Sequence, residues 1–210
     1  MIKKQYRLLE DYLNSLFPNA GCELIHDKDY EFVIEVMLSA QSTDVAVNLV
    51  SNKLFKKYST LESLANADLF DVEKILHPLG LFKNKAKNVI GIAKTLIEEF
   101  DGIIPSDKDL LQRLPGVGNK TAGVIRAEVF HIPDLPVDTH ILRISRRLGI
   151  SKAGDTPLQV EQKLKKEIDQ SRWILTHHQL IHFGRYFCTA RKPNCENCKL
   201  NSFCKIRTIH

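Results

Sequence analysis

Residues 114–122 read Leu-Pro-Gly-Val-Gly-Asn-Lys-Thr-Ala and join two stretches of helical apolar spacing through a turn that contains two glycines. Glycine permits positive φ, and it lets the backbone N–H groups of Gly116, Val117 and Gly118 approach a phosphate oxygen without a β-carbon in the way. The next helix adds its positive N-terminal end. The turn is therefore a candidate anion-binding site, although a plain corner between two helices would explain it equally well.

Lys120 follows this turn directly. With Asn119 predicted as the N-cap, Lys120 falls in the first turn of the helix, where a cation is unfavourable and the neutral amine is favoured. A neutral amine is a nucleophile. The alternative is a solvated lysine that contacts a phosphate as a point charge.

Asp138 lies eighteen residues further on, in Val-Asp-Thr-His at residues 137–140. It follows the proline-bounded segment 131–137 and precedes apolar residues at helical spacing, so it is predicted to cap a helix. Lys120 and Asp138 would then stand at the starts of two helices. Such a geometry can bring an amine and a carboxylate to one cleft.

Composition restricts the class of protein. The chain has 210 residues, 43% hydrophobic and 26% charged, which is typical of a globular chain and excludes disorder. Apolar residues recur at helical spacing, strand-like alternation is nearly absent, and proline and glycine breakers divide the chain into about ten predicted helices. The net charge of +5 suits a polyanionic partner without requiring one. With no signal sequence or apolar membrane span, we expect a soluble, cytoplasmic protein.

Four of the five cysteines lie near the end of the chain with the spacing C-x6-C-x2-C-x5-C. They are Cys188, Cys195, Cys198 and Cys204. Zinc ribbons usually have two close pairs, so this spacing favours an iron–sulfur cluster but leaves zinc open. Cys22 stands apart, as a predicted buried thiol. Arg185, Arg191 and Lys192 belong to a basic run around the cysteines that could contact phosphates.

These motifs together resemble a known family. Residues 114–122 resemble the helix-hairpin-helix of DNA glycosylases, residues 137–140 resemble the aspartate motif that follows it, and the cysteine loop resembles the [4Fe-4S] loop of endonuclease III. The resemblance implies that Lys120 attacks C1′ of the sugar, displaces a damaged pyrimidine and forms a Schiff base. Asp138 would assist proton transfer, and β-elimination would then break the strand 3′ to the abasic site.

The resemblance also implies an all-α glycosylase fold with two lobes. Residues 23–132 would form a six-helix lobe containing the hairpin, and residues 1–22 with 133–210 would form the iron–sulfur lobe. Double-stranded DNA with a damaged base or an abasic site would lie in the cleft between them, bound by a monomer.

Further DNA contacts are predicted where the duplex must open, because a base cannot be reached inside the stack. Ser-Ala-Gln-Ser-Thr-Asp at residues 39–44 resembles the family's loop whose glutamine enters the vacated space, which places Gln41 there. Leu79-Gly80-Leu81 could present Leu81 as a wedge, or its leucines could be core residues. His140 and Arg143, after the aspartate, are predicted as additional contacts.

Glu35 departs from the endonuclease III pattern. It lies among apolar residues 32–38, which would raise the pKa of its carboxyl, and Glu-Val-Met-Leu resembles the adenine glycosylases, whose acid sits here. Those enzymes lack the lysine found here as Lys120, which argues against adenine excision. Adenine excision is kept as an alternative, and Glu35 is more simply explained as an ion-paired helix residue. A second alternative is a non-catalytic DNA-binding module with a zinc knuckle.

Overall fold

A computed structural model describes residues 3–205, which form eleven α-helices and, within that range, no β-strand. The all-α prediction is therefore confirmed. The chain divides into two compact units. One contains the residues up to Cys22 together with those from Ile132 onward, and the other contains Glu23–His131. No helix within residues 3–205 is both long and apolar enough to cross a membrane.

The unit of residues 23–131 is built from seven helices. They are α2 (Asp29–Leu38), α3 (Asp44–Lys57), α4 (Leu61–Ala65), α5 (Leu69–Leu76), α6 (Phe82–Phe100), α7 (Lys108–Leu111) and α8 (Asn119–Val129). The family resemblance implies six helices for this region; the structure has seven, of which α7 has only four residues.

Helix α2 is the centre of this unit. All residues from Glu31 to Leu38 are buried, which explains why its apolar residues run continuously instead of forming one stripe. Helix α6, the longest, packs against α4, α5 and α2, while α2 also packs against α8. The helix that carries Lys120 is thus held directly against the most buried helix of the unit.

The second unit contains α1 (Lys3–Leu16), α9 (Thr139–Arg147), α10 (Pro157–Glu167) and α11 (Trp173–His182). A π-helical turn, Phe183–Phe187, continues α11 and leads to the first of the clustered cysteines. Apolar faces of α1, α9, α10 and α11 share one core. Polar contacts tie α1 to this core, because Gln179 on α11 donates a 2.9 Å hydrogen bond to Asn14 and Arg172 pairs with Glu10 at 2.8 Å.

Candidate functional site

The turn between α7 and α8 contains two glycines, and contacts within the protein explain only one of them. Gly116 has φ +79°, and a β-carbon there would clash with Nδ2 of Asn88. Gly118 has φ −95°, and a β-carbon there would meet nothing within 4 Å. Both glycines are exposed, whereas the side chain of Val117 is 5% exposed and belongs to the core. Val117 can therefore offer a ligand only its backbone.

Helix α8 begins at Asn119 with Gly118 as its N-cap, so the prediction that Asn119 is the cap was wrong by one residue. Gly118 retains an extended backbone and, being glycine, has no side chain that could cap the N–H groups of the first turn. Those N–H groups and the positive end of the helix dipole remain available for an anion. Lys120 lies in this turn, as predicted, and is partly exposed.

Asp138 is the N-cap of α9, as predicted from its position. Its Oδ1 accepts a 2.8 Å hydrogen bond from the backbone N–H of Ile141. The carboxyl group is partly exposed. The cap therefore uses one oxygen and orients the side chain at the start of a helix, where a carboxylate is stabilised by the dipole.

Gln41 and Leu81, the two residues predicted to enter the duplex, share an unusual backbone conformation. Within residues 3–205 only four non-glycine residues have positive φ, and these two are among them, at 55° and 59°. Both are exposed, Leu81 by 57%. Leu79, in contrast, is 3% exposed and lies in the core. Leu81 therefore fits the prediction of an exposed wedge, and Leu79 fits the alternative of a core residue.

The four clustered cysteines line one cavity in the second unit. The other lining residues include Leu148, which is the C-cap of α9, Phe183 and Phe187 from the π-helical turn, and Pro193 from the loop. Burial raises the pKa of the Cys198 thiol; the backbone N–H of Leu200 lowers it, and the other three cysteines raise it again through like charge. The four sulfurs therefore lie around the same cavity.

The lining of this cavity suits a polynuclear cluster. Four thiols around a shared apolar cavity match the donor set of a [4Fe-4S] cluster, which takes one cysteine per iron.

Arg147 was missed by sequence reasoning and holds the cysteine loop to α9. Its guanidinium donates to Sγ and the carbonyl of Cys188, both at 3.2 Å, and to the carbonyls of Thr189 at 2.7 Å and Ala190 at 2.9 Å. The backbone oxygen of Arg147 accepts a 2.7 Å bond from the N–H of Lys205. The only signal in the sequence is its spacing of four residues from Arg143, which places both on one helix face.

Arg143, which is predicted as a DNA contact, also faces the loop. Its Nη2 donates to the carbonyl of Gly184 at 2.7 Å and of Cys188 at 3.2 Å, and burial lowers the pKa of the guanidinium. Gly184 lies so close to α9 that a β-carbon there would be 2.8 Å from Cβ of His140. Arg143 therefore satisfies buried carbonyls, and His140 is partly covered by the π-helical turn.

The remaining predicted basic contacts lie at or near the surface. Arg185 is partly exposed on the π-helical turn, and Arg191 and Lys192 are exposed between the first two clustered cysteines. The backbone N–H of Lys192 donates to Oγ1 of Thr189 at 3.2 Å, which fixes the backbone but not the side chain.

Glu35 is fully buried within α2 and takes part in an internal network. Ser51 on α3 donates a 2.6 Å hydrogen bond to its Oε1, and Nδ1 of His26 lies 3.7 Å from its Oε2. Burial raises the pKa of Glu35 to about 7, although the bond from Ser51 acts in the opposite direction. The side chain is 0% exposed, and its carboxyl belongs to this internal network.

Sequence and structure comparisons agree with this architecture. Residues 34–170 match the HhH-GPD superfamily base excision DNA repair protein family, and residues 188–204 match the iron-sulfur binding domain of endonuclease III. An endonuclease III of Bacillus subtilis (strain 168) is 43% identical over 202 residues, 96% of this chain and 92% of that protein.

Two solved structures superpose over most of the chain. An endonuclease III in a non-covalent complex with DNA has a TM-score of 0.95, and one trapped as a covalent intermediate with DNA has a TM-score of 0.94. Each is 42% identical and covers 98% of this chain and 96% of its own. The fold and the matches define a base-excision DNA repair protein. Within that class, the chain belongs to the endonuclease III family.

Family membership confirms three predictions. The protein is a DNA glycosylase with abasic-site lyase activity, it acts in base-excision repair, and it binds DNA. The match of residues 188–204 begins and ends on clustered cysteines and confirms the [4Fe-4S] cofactor over zinc.

Proposed function

We propose that this enzyme removes oxidised pyrimidines from duplex DNA with Lys120 as the nucleophile and then breaks the strand 3′ to the abasic site. The observation that carries the proposal is the position of Lys120, in the first turn of a helix without a side-chain cap and two residues after the exposed Gly118. An amine there is held at the end of a rigid helix that also favours a nearby phosphate. Both properties suit a nucleophile that acts on a DNA sugar.

The chemistry requires an amine and a group that moves protons. Nζ of Lys120 attacks C1′ of the damaged nucleoside, the bond from C1′ to the base breaks, and the base leaves with its electron pair and takes up a proton. The nitrogen loses a proton, its lone pair then opens the C1′–O4′ bond with protonation of O4′, and the Schiff base results. Abstraction of a proton from C2′ then expels the 3′ phosphate by β-elimination. Asp138 is proposed to accept and return protons, and its cap bond to Ile141 supports this role by holding the carboxylate in one orientation.

DNA binding is proposed to use the backbone of Gly116, Val117 and Gly118 for phosphate. The open space beside Gly118 supports this assignment, because nothing within the protein requires a glycine there. Gln41 and Leu81 are proposed to occupy the space left by the extruded nucleotide, and their exposure and left-handed backbone support it.

Further phosphate contacts are proposed at basic residues around the cysteine loop. These are Arg185, Arg191 and Lys192, with His140 as a contact at the start of α9. Arg143 is proposed as a further contact, and Nη2 of its guanidinium is hydrogen-bonded to two backbone carbonyls. A loop that is tied to a cluster can hold such charges in fixed positions, and each phosphate contact adds to the salt dependence of binding.

Cys188, Cys195, Cys198 and Cys204 are proposed as the ligands of the cluster, whose role is to hold the loop. We propose that residues 23–132 form the helix-hairpin-helix lobe and that 1–22 with 133–210 form the iron–sulfur lobe. The enzyme is proposed to act as a monomer in the cytoplasm. Light scattering of the purified protein, which should give the mass of one 24.0 kDa chain, tests the oligomeric state.

Borohydride trapping tests the nucleophile. Reduction fixes a Schiff base, so the wild-type protein should become covalently attached to duplex DNA that carries a 5,6-saturated pyrimidine or an abasic site. Lys120→Gln should lose the adduct and retain DNA binding, while Lys53→Gln, an exposed lysine on α3, should be trapped normally. An adduct with the Lys120 variant would assign the nucleophile elsewhere. Preferential attack on adenine opposite an oxidised guanine would refute the substrate class.

A further inference from the structure

Lys85 is a buried lysine that neither the fold nor the catalytic roles explain. It lies on α6, is 4% exposed, and burial lowers the pKa of its amine. Within residues 3–205 no carboxylate is paired with it, and its side-chain partner is the hydroxyl of Ser42, to which Nζ donates at 2.8 Å. A buried ammonium without a counter-charge costs free energy, so an apolar residue would make this helix more stable. A functional reason for the lysine is therefore required.

The hydrogen bond from Lys85 to Ser42 suggests what this functional reason is. Ser42 follows Gln41, and the backbone N–H of Lys85 donates to the carbonyl of Leu81 at 3.0 Å as the first bond of α6. A single residue is thus bonded to both loops that carry the proposed duplex-entering side chains. The loops are neighbours as well, because a β-carbon on Gly80 would lie 3.9 Å from the carbonyl oxygen of Gln41.

The backbone of both loops needs such support. Gln41 and Leu81 have φ of 55° and 59°, a region that residues with a β-carbon adopt only when their surroundings hold them there. Leu81 is the N-cap of α6 without any side-chain cap bond, so the start of this helix is not held by ordinary capping. The bond from Lys85 to Ser42 crosses from α6 to the other loop just where both conformations occur.

We propose that Lys85 is a positioning residue that holds the Gln41 loop and the Leu81 loop together as one duplex-opening element. The inference rests on the proposed roles of Gln41 and Leu81. Lys85 is not proposed to touch the reacting sugar. Lys85 acts before the chemical step. When the two loops are held at a fixed separation, Gln41 and Leu81 can fill the space left by the extruded nucleotide without the entropy cost of ordering two independent loops.

The test separates duplex opening from chemistry. Lys85→Met keeps the length and apolar stem but removes the donor. Single-turnover excision of a 5,6-saturated pyrimidine from a duplex should fall by about tenfold, as expected for loss of one charge-assisted hydrogen bond. Nicking at a preformed abasic site, which has no base to unstack, should stay within about twofold. Lys94→Met, an exposed lysine on the same helix, should resemble wild type in both assays.

A fluorescent readout and a double-mutant cycle complete the design. With 2-aminopurine opposite the lesion, binding by wild type should unstack the probe and raise its emission, and Lys85→Met should give a smaller rise. Ser42→Ala should reproduce both defects, and the double variant should be no worse than either single variant, because one bond is removed in all three. Ser42→Ala also provides the test if the Lys85 variant does not fold.

The outcomes distinguish the inference from the proposed function. Duplex excision by both single variants at the wild-type rate overturns the inference. Equal losses in duplex excision and abasic-site nicking, together with a lower melting temperature, would make Lys85 a general structural residue and overturn it too. A wild-type protein that acts on neither substrate would instead refute the proposed function.

Discussion

The buried carboxyl of Glu35 predicts a measurable dependence of stability on pH. The folded-state pKa is raised from 4.5 to about 7, chiefly by burial, with further increases from the charges of Glu31 and Asp44 and a decrease from Ser51. Because the folded state binds the proton more tightly than the unfolded state, this contribution to stability is fully present below pH 4.5. It is lost as pH rises through about 7.

The expected size of this loss follows from the shift. A difference of one pKa unit corresponds to about 1.4 kcal/mol, so a shift from 4.5 to about 7 corresponds to roughly 3 kcal/mol. Glu35→Gln keeps the shape and the acceptor for Ser51 but carries no charge. Below pH 5 the variant should be about as stable as wild type, and above pH 7 it should be more stable by up to about 3 kcal/mol.

Urea denaturation at pH 5, 6, 7 and 8 measures the difference in the free energy of unfolding between the variant and wild type. Far-ultraviolet circular dichroism is a suitable signal, since residues 3–205 are largely helical. Glu98→Gln, an exposed residue on α6, is the matched control and should remain parallel to wild type at every pH. A Glu35 variant whose free energy of unfolding also runs parallel to wild type would show that the carboxyl of Glu35 does not titrate with a raised pKa. The same variant should keep pyrimidine excision, because Glu35 is internal.

Asp138→Asn should preserve the fold, because asparagine caps a helix about as well as aspartate, but it should lose about a hundredfold or more in base excision; unchanged excision would limit Asp138 to its cap. Gly116→Ala should lower the free energy of unfolding by roughly 2–3 kcal/mol in urea melts, since it combines positive φ with a clash. Gly118→Ala should change stability by less than about 0.5 kcal/mol yet weaken DNA binding in a titration, and a variant that binds normally would remove the phosphate contact. Purified protein should be brown with about four irons per chain by metal analysis, and Cys198→Ser should lose both colour and stability whereas Cys22→Ser should retain them; one zinc in a colourless protein would contradict the cluster assignment.

Features with short sequence separations were predicted well. The turn at residues 114–122 and the cap at Asp138 depend on φ preferences and on bonds spanning three residues, which are visible in the chain itself. The cysteine spacing similarly indicates a metal site, because donors within seventeen residues must close a local loop, and it favours an iron–sulfur cluster over zinc without excluding zinc. The N-cap of α8 was misplaced by one residue because asparagine and glycine both suit that position.

Features that depend on distant partners could not be predicted. The guanidinium groups of Arg143 and Arg147 bind carbonyls about forty residues away, and an arginine in the sequence looks the same whether it faces DNA or a buried backbone. Leu79 and Leu81 are chemically identical, and only the packing around them makes one a core residue and the other an exposed tip.

Local backbone preference and local ligand spacing account for the helical class, the hairpin with its lysine, the capping aspartate and the cysteine set, so these features can be read from the chain alone. The bond from Lys85 to Ser42 and the enclosure of Glu35 with Ser51 and His26 arise only when the chain folds. They could not be read in advance because the free energy of a buried charge depends on which groups surround it in space, and hydrophobic patterning records burial without recording partners.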